Sequence, residues 1–227
     1  MTVLHVLRVF CGRGGTGGNP LGVVLDGSAV PTAERQSGAA AIGFSETVFV
    51  DDPSSGTVQI FTPAVEMPFA GHPLVGTAWL LAHERKAVTE LNPPAGRVAT
   101  HVKNDCAYVT GRPEWAPPFR WAELDTPAEV DALEGPPSED DLVGLYAWED
   151  DATVRARVFP LRLGIDEDEA TGAAAVRLGA LVGRPFTIRQ GKGSEIEVLP
   201  RADGTVEIGG RVVLDGVRPY PSPGGTA

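Results

Sequence analysis

The sequence predicts an α+β protein made of two similar halves, each a β-sheet wrapped around one buried helix. Three observations carry this prediction. Short β-like runs outnumber helical segments along the 227 residues. Two segments are apolar on all sides and rich in small residues, which is typical of a helix enclosed by sheet rather than lying on it. Each of these segments follows a strand and a glycine-containing turn, so the chain carries a weak internal repeat.

The predicted strands are short runs of β-branched, aromatic and other apolar residues bounded by turn residues. They span residues 3–10, 21–25, 47–50, 58–61, 97–102, 107–110, 142–147, 154–159, 186–189, 196–199, 206–208 and 212–214. Asn104-Asp105 and Ala202-Asp203-Gly204 have the composition of hairpin turns. Sheet therefore dominates the predicted structure.

The two predicted buried helices cover residues 73–82 and 171–182. Pro73 suits the first position of the first helix, and Gly183 suits the stop of the second. A more surface-like helix is predicted over 31–42, and a short one over 127–133.

The repeat divides the chain into two predicted domains, 1–112 and 113–227. In the first, strand 58–61 leads through Gly71 into the buried helix, and in the second a strand leads through Gly164 into its counterpart. The proline-rich segment 112–118 is the predicted boundary. Two such halves would place both helix N-termini near a shared cleft.

Charge and hydropathy limit the possible partners. Nineteen lysine and arginine residues stand against thirty aspartate and glutamate residues, which gives a net charge of −11. Because a phosphate backbone would be repelled, we expect no nucleic-acid partner. The longest apolar stretch is about half of what a bilayer crossing needs, and the N-terminus lacks the layout of a signal peptide. We therefore expect no membrane partner and a cytoplasmic location.

Metal and nucleophile chemistry have little support. Cys11 and Cys106 are too few for a disulfide scaffold and are predicted to be reduced thiols that pack. No two of the four histidines are three or four residues apart, and no G-x-S-x-G motif is present. The sequence thus predicts no metal site and leaves acid–base chemistry by carboxylates and one histidine.

The segment 12–17 fits the G-x-G-x-x-G pattern of dinucleotide-binding loops. A phosphate site of that kind needs the N-terminus of a following helix, whereas residues 18–24 lead through a turn into a strand. We therefore predict a glycine-rich hairpin loop here, and a turn at 191–194, which lacks the first glycine of a Walker loop.

Three polar residues are candidates for catalysis, each with an ordinary alternative. Glu46 lies at a helix-to-strand junction between apolar flanks, where burial would raise the pKa of its carboxyl group; an exposed strand-edge glutamate would look the same. His72 lies where a helix begins, and the dipole there favours a neutral, proton-relaying imidazole; it could instead cap the helix. Asp168 precedes Thr171-Gly172, whose free N–H groups can hold a carboxylate, or is itself a cap.

Taken together, four ordered motifs resemble the phenazine-biosynthesis PhzF-like isomerase family. They are Gly18-Asn19-Pro20-Leu21; Phe44-Ser45-Glu46-Thr47; Phe61-Thr62-Pro63 with Glu66-Met67-Pro68-Phe69-Ala70-Gly71-His72-Pro73; and Gly164-Ile165-Asp166-Glu167-Asp168-Glu169-Ala170-Thr171-Gly172-Ala173. The resemblance implies a diaminopimelate-epimerase-like fold, in which a barrel-like mixed sheet surrounds a central helix in each half and the active site lies between the halves.

The resemblance also implies a cofactor-free isomerase that moves a proton on a small carboxylate-bearing substrate. By motif position, Glu46 would carry the proton, while His72 and Asp168 would orient the substrate. Further groups would bind its polar ends: Ser45, Thr171 and the main-chain N–H groups of Gly71, Gly172 and Ala173.

The chain departs from the family pattern in three ways. Glu169 and Ala173 stand where the family usually has proline and serine, and an extra carboxylate beside an anion site is electrostatically unfavourable. The second half is shorter than usual, with the gap at 118–142, so part of the cleft wall is expected to be absent. The segment 192–195 replaces a glycine-arginine pattern.

Two alternatives remain open at this stage. The first is a cofactor-independent epimerase or racemase of the same fold, although the helix starts lack the cysteines that such enzymes use. The second is a non-catalytic shortened relative that binds a small carboxylate metabolite. A homodimer is expected in each case, because the smaller second half leaves sheet and helix surface to cover.

Overall fold

The computed structural model describes residues 2–137 and 142–221, and within these ranges the chain forms fourteen strands. They are β1 (Val3–Cys11), β2 (Asn19–Val24), β3 (Glu46–Asp52), β4 (Thr57–Phe61), β5 (Glu66–Met67), β6 (Glu90–Leu91), β7 (Val98–Lys103), β8 (Cys106–Gly111), β9 (Arg120–Glu123), β10 (Leu142–Trp148), β11 (Thr153–Pro160), β12 (Phe186–Gln190), β13 (Ser194–Pro200) and β14 (Val206–Pro219).

Four α-helices lie in the same described ranges. They are α1 (Thr32–Ile42), α2 (Gly71–His83), α3 (Pro127–Asp131) and α4 (Gly172–Val182). Every predicted helix is present, and Gly183 ends α4 in the left-handed conformation at φ 70°, as glycine C-caps do. Among the described residues, none of these helices combines the length and the apolar composition that crossing a lipid bilayer demands.

The strands join into one mixed sheet. Its order is β5-β4-β3-β2-β1-β14-β13-β12-β11-β10-β9, with β8 added to β14, β7 to β8 and β6 to β7. Three neighbouring pairs are parallel, namely β2 with β3, β10 with β9 and β11 with β12, and the other pairings are antiparallel. The α+β class with a mixed sheet is therefore confirmed.

Helix α2 is the centre of the first half. It contacts β1, β2, β3, β7, β8 and β14, and ten of its thirteen residues are buried. The all-round apolar sequence explains this position, because a helix enclosed by strands needs apolar side chains on every face.

Helix α4 is enclosed less completely than its sequence predicts. It contacts β13 and β14, and its residues are buried up to Gly179 with the exception of Arg177. Leu181 near the C-terminal end is 64% exposed. The sheet of the second half presents fewer strands to its helix, so the last turn of α4 reaches the surface.

Both glycine-rich loops are turns between antiparallel strands, as predicted. The loop after β1 returns the chain into β2, and the turn at 191–193 connects β12 to β13. Since no helix follows the first loop, it lacks the N–H groups of a dinucleotide site.

Strand β14 differs from the prediction of two short strands. It runs unbroken over fourteen residues and pairs with β13, β8 and β1. Gly209 and Gly210 interrupt the apolar pattern, but no side chain would fit at Gly209, where an added Cβ would lie 2.6 Å from the carbonyl oxygen of Ala107. The division at 112/113 and the homodimer stay predictions.

The close packing of α2 on its sheet gives a test of this architecture. A Cβ added at Gly76 would lie 2.8 Å from a methyl carbon of Val9 and nearer still to one of Leu21. We expect Gly76→Val to lower the free energy of unfolding by about 2 kcal/mol or more, because overpacking a dense core costs roughly 1–3 kcal/mol. Urea denaturation measures the change. Gly216→Val, at a position with open space around it, is the matched control and should change stability little.

Candidate active site

The N-termini of the two central helices touch each other. A Cβ added at Gly71 would lie 2.8 Å from the carbonyl carbon of Gly172, and one added at Gly172 would lie 2.6 Å from the backbone nitrogen of His72. Only glycine allows this distance, since Cβ atoms do not approach other heavy atoms so closely. The site therefore begins with two helix starts in contact.

Neither helix start is capped by a side chain. The N-cap residues are Ala70 for α2 and Thr171 for α4, and neither side chain accepts a hydrogen bond from the first turn. This excludes the capping alternatives for His72 and Asp168. Uncapped first turns leave N–H groups that point out of the helix end, which favours a negatively charged group there.

Glu46 is the first residue of β3, which runs parallel to β2 with Glu46 opposite Leu21. Its side chain is 12% exposed, so the alternative of an exposed strand-edge glutamate is wrong. Its Oε2 lies 3.2 Å from Nδ1 of His72.

His72, in the first turn of α2, is almost fully buried. Its Nε2 makes no hydrogen bond of good geometry in the described part of the chain, although the Pro20 backbone lies close to the ring, and the Oε2 of Glu46 has the 3.2 Å contact with Nδ1 as its ion-pair partner. Buried polar atoms without partners are rare and mark places where a ligand or water completes the bonding.

Each carboxylate oxygen of Asp168 accepts a hydrogen bond. Its Oδ1 accepts a hydrogen bond from Nδ2 of Asn19 at 2.7 Å, and its Oδ2 accepts one from the Thr171 hydroxyl at 2.7 Å. The side chain is buried. These bonds fix the direction of the carboxylate.

The charge states of Glu46 and His72 differ from the expectation. Burial works against both charged forms, but each group's charge favours that of the other across 3.2 Å. The pKa of Glu46 is therefore lowered rather than raised. The pKa of His72 is raised, with the nearby Asp168 carboxylate adding to the effect, which is the direction opposite to the one expected from the helix dipole.

Asp168 is the group whose pKa is raised. Burial is the largest cause, and the negative charge of Glu46 adds to it, while His72 and the bonds from Thr171 and Asn19 oppose it. The result is a pKa of about 6. Among the three candidates, Asp168 is thus the carboxyl group that titrates near neutral pH.

The groups that surround Asp168 include two residues that the sequence analysis did not single out. Asn19 donates to Asp168 and to the carbonyl oxygen of Ala170, and its own Oδ1 accepts from the Ser45 hydroxyl at 3.2 Å. Gln190 donates to the Asp168 carbonyl oxygen and accepts from the Thr171 N–H.

The sequence signal that could have identified both side chains is the alternation of inward and outward positions along a strand. Asn19 shares a strand face with Leu21, and Gln190 shares one with Phe186 and Ile188, so each is an inward polar side chain that needs partners. Sequence alone does not say which distant residues supply them.

The predicted site residues converge on one small cavity. Its walls include Glu46, Gly71, His72, Asp168, Thr171, Gly172 and Ala173. Ser45 is not part of these walls; its hydroxyl turns to Asn19 instead. The remaining walls are mostly apolar, and Phe119 among them comes from the segment 118–142 that the sequence predicted to be shortened. That segment therefore still supplies a wall, although residues 138–141 within it lie outside the described residues.

The cavity has a volume of about 20 Å³, room for about one water molecule. Among the residues that the structure describes, no lysine or arginine lines it. Nor do these residues include a group of three or more His, Cys, Asp or Glu side chains placed to share a metal ion.

Comparisons with known proteins agree with this architecture. The chain is 32% identical over 220 residues to trans-2,3-dihydro-3-hydroxyanthranilate isomerase of Pseudomonas fluorescens, and the match covers 79% of each chain. A predicted epimerase from Pseudomonas aeruginosa superposes with a TM-score of 0.76 at 26% identity, covering 96% of this chain and 98% of that one. A PhzF-family protein from Bacillus anthracis gives 0.77 at 18% identity, with coverages of 96% and 98%.

Fold and relatives together define an isomerase- or epimerase-like enzyme. Residues 9–140 match the family described as phenazine biosynthesis-like protein, PhzC-PhzF. The chain belongs to this family.

The Glu46–His72 ion pair gives a prediction that needs no substrate. In Glu46→Gln the imidazolium loses the nearer of its two carboxylates, so the pKa of His72 should fall by at least about one unit. A ¹⁵N NMR titration of the imidazole nitrogens measures it. The signals of His83 and His101 serve as internal references, and an unchanged His72 titration would contradict the pairing.

Asp168 gives a prediction for stability. Its folded-state pKa of about 6 exceeds the usual value of 3.8, so the folded chain binds the Asp168 proton more tightly than the unfolded chain does. The stability that this proton contributes is lost as pH rises from about 4 to about 6. We expect the free energy of unfolding of Asp168→Asn, relative to wild type, to rise by roughly 1–3 kcal/mol over this interval and to level off above it. Urea denaturation at several pH values tests this, and a difference independent of pH would contradict it.

Proposed function

We propose that this protein catalyses cofactor-free proton transfer within a small carboxylate-bearing substrate, in the cavity where α2 and α4 meet. One observation carries the proposal. Glu46 and His72 are buried side by side as an ion pair, the Nε2 of His72 makes no hydrogen bond of good geometry among the described residues, and both side chains line a cavity that also receives two uncapped helix starts.

Glu46 is the proton carrier. Its lowered pKa keeps it ionised before substrate binds, so it acts first as a base. It takes a proton from a substrate carbon, and the electron pair of that C–H bond moves into the conjugated system of the substrate. The same carboxyl group then returns the proton to a different carbon. Atoms and oxidation level are conserved, and no redox partner enters the balance.

His72 stabilises the charges that change during this cycle. While Glu46 is ionised, the imidazolium is its counter-ion at 3.2 Å. When Glu46 holds the proton, the imidazolium charge is free to stabilise negative charge that has moved into the substrate. Its buried Nε2 makes no hydrogen bond of good geometry within the described residues and can donate one to a substrate oxygen.

The helix starts are the binding site for a carboxylate. No lysine or arginine among the described residues lines the cavity, so the backbone N–H groups of Gly71, Gly172 and Ala173 are the donors present for an anion. Asp168, held by Asn19 and Thr171, faces the same cavity and in its ionised form can accept a hydrogen bond from a substrate amino group. A substrate with both groups fits this arrangement.

The size of the cavity adds a requirement. A volume of about 20 Å³ does not hold a six-membered ring, so the walls must move apart when such a substrate enters.

An epimerase is the second candidate, since two carboxyl groups, Glu46 and Asp168, line the same cavity. In that case one group would remove a proton and the other would return one to the same carbon from the opposite face. The two reactions differ in their products. Isomerisation moves a double bond, whereas epimerisation inverts one stereocentre.

The test is deuterium uptake from D₂O. The relative from Pseudomonas fluorescens is named for trans-2,3-dihydro-3-hydroxyanthranilate, so this compound and its cyclic and amino-acid analogues are the substrates to incubate. We expect the isomerised product, with one deuterium at the new carbon wherever the protonated Glu46 carboxyl exchanges with solvent before it returns its proton, and without deuterium where the return is faster than that exchange. Glu46→Gln should reduce the rate by about 100-fold or more, because general acid–base groups contribute roughly 10²–10⁴.

Glu114→Gln is the matched control, because it removes a carboxylate that is 66% exposed, and its rate should equal that of wild type. Uptake at an inverted stereocentre without a shifted double bond would favour the epimerase. Binding of these carboxylates with neither exchange nor product formation in wild type would overturn catalysis and leave a binding protein.

A further inference from the structure

Glu169 places an extra carboxylate next to the expected anion site, but its side chain points elsewhere. It directly follows Asp168, yet its carboxylate turns away from the helix contact and docks on the turn between β12 and β13. Oε1 accepts hydrogen bonds from the backbone N–H of Lys192 at 2.7 Å and from the hydroxyl of Ser194 at 2.7 Å. The carboxylate occupies the space that a side chain at Gly191 would need.

Ser194 connects the docked Glu169 carboxylate to the loop that contains Gly18. The serine is fully buried, and while its hydroxyl donates to Glu169, its oxygen accepts a hydrogen bond from the N–H of Gly18 at 2.9 Å. The next residue in the chain is Asn19, whose Nδ2 donates to Asp168 at 2.7 Å. The contacts therefore form a closed ring: Asp168, Glu169, Ser194, Gly18, Asn19 and back to Asp168.

The ring determines how the Asn19 amide is oriented. Its Nδ2 faces Asp168 and its Oδ1 faces the Ser45 hydroxyl, beside the candidate proton carrier. If Glu169 were absent, Ser194 would lose its acceptor, and the loop with Gly18 and Asn19 would lose the second of its two ties to the turn that carries Asp168, keeping only the direct bonds from Asn19.

We propose that Glu169 is a positioning residue, which acts through Ser194 and Gly18 to hold the Asn19 amide on the Asp168 carboxylate. The inference deepens the proposed function and rests on it for the role of Asp168 in the reaction. The two hydrogen bonds that Glu169 accepts thus hold the turn before α4 against the turn between β12 and β13.

The direct readout is the pKa of Asp168, followed by NMR of a ¹³C-labelled carboxyl group in the full chain. The hydrogen bond from Asn19 stabilises the ionised form, so loosening it in Glu169→Ala should raise the pKa of Asp168 by about half a unit to one unit. Glu169→Gln keeps an oxygen that can accept both bonds and should leave the value unchanged.

The two variants separate positioning from charge. If Glu169 acted only through its negative charge, both variants would lower the pKa of Asp168, the opposite direction. If Glu169 served only stability, Glu169→Ala would unfold more easily and leave the titration of Asp168 unmoved. Either result would overturn the proposal.

Gly191→Ala supplies a second test in which Glu169 remains. The added Cβ would displace the docked carboxylate, so the pKa of Asp168 should rise as in Glu169→Ala. Gly191 has φ 56°, and backbone strain must be separated from this effect. Gly204→Ala is the matched control, since Gly204 has φ 83° with open space around it, and it should leave Asp168 unchanged.

The titration needs no substrate, so the two proposals fail independently. An unmoved pKa in both Glu169→Ala and Gly191→Ala overturns the positioning role even if wild type is active. A wild type that converts none of these substrates overturns the proposed function, while the titration still decides the role of Glu169 in holding Asn19 on Asp168.

Discussion

The contact between Gly71 and Gly172 brings two helix N-termini together, and the rest of the site depends on it. Each helix start carries a partial positive charge, so two of them in contact repel unless negative charge lies beside them. Glu46 and Asp168 both line the cavity at this contact and supply that charge. No lysine or arginine lies among the described wall residues, so the helix starts and His72 are the positive groups that face these two carboxyl groups.

Three ionisable groups share this small volume, and their arrangement sets their protonation. His72 and Glu46 are close enough for their opposite charges to outweigh the effect of burial on the pKa of each group. The pKa of Asp168, in contrast, is set mainly by burial and by the negative charge of Glu46, which both raise it. One carboxyl group is therefore ionised well below neutral pH, and the other titrates near it. Environments that separate the pKa values of two carboxyl groups are typical of acid–base sites.

Much of the fold and of the site could be predicted from the sequence, because periodicity and motif order are local properties. The four helices and the convergence of Glu46, His72 and Asp168 on one cavity follow such patterns. The signs of the pKa shifts could not be predicted, since they depend on a distance of 3.2 Å between residues of different elements. The bond from Asn19 to Asp168 crosses 149 positions of the chain. Two-residue strands such as β5 are too short to show alternation at all.

Strand β14 has a consequence for how the protein folds and how it can be divided. The strand comes from the end of the sequence, yet it lies between β1 and β8 and completes the wall around α2. A fragment cut at the sequence boundary near residue 112 would leave β1 and β8 with open backbone edges that invite association with other chains. The first half can therefore close around its helix only after residues 206–219 have been synthesised.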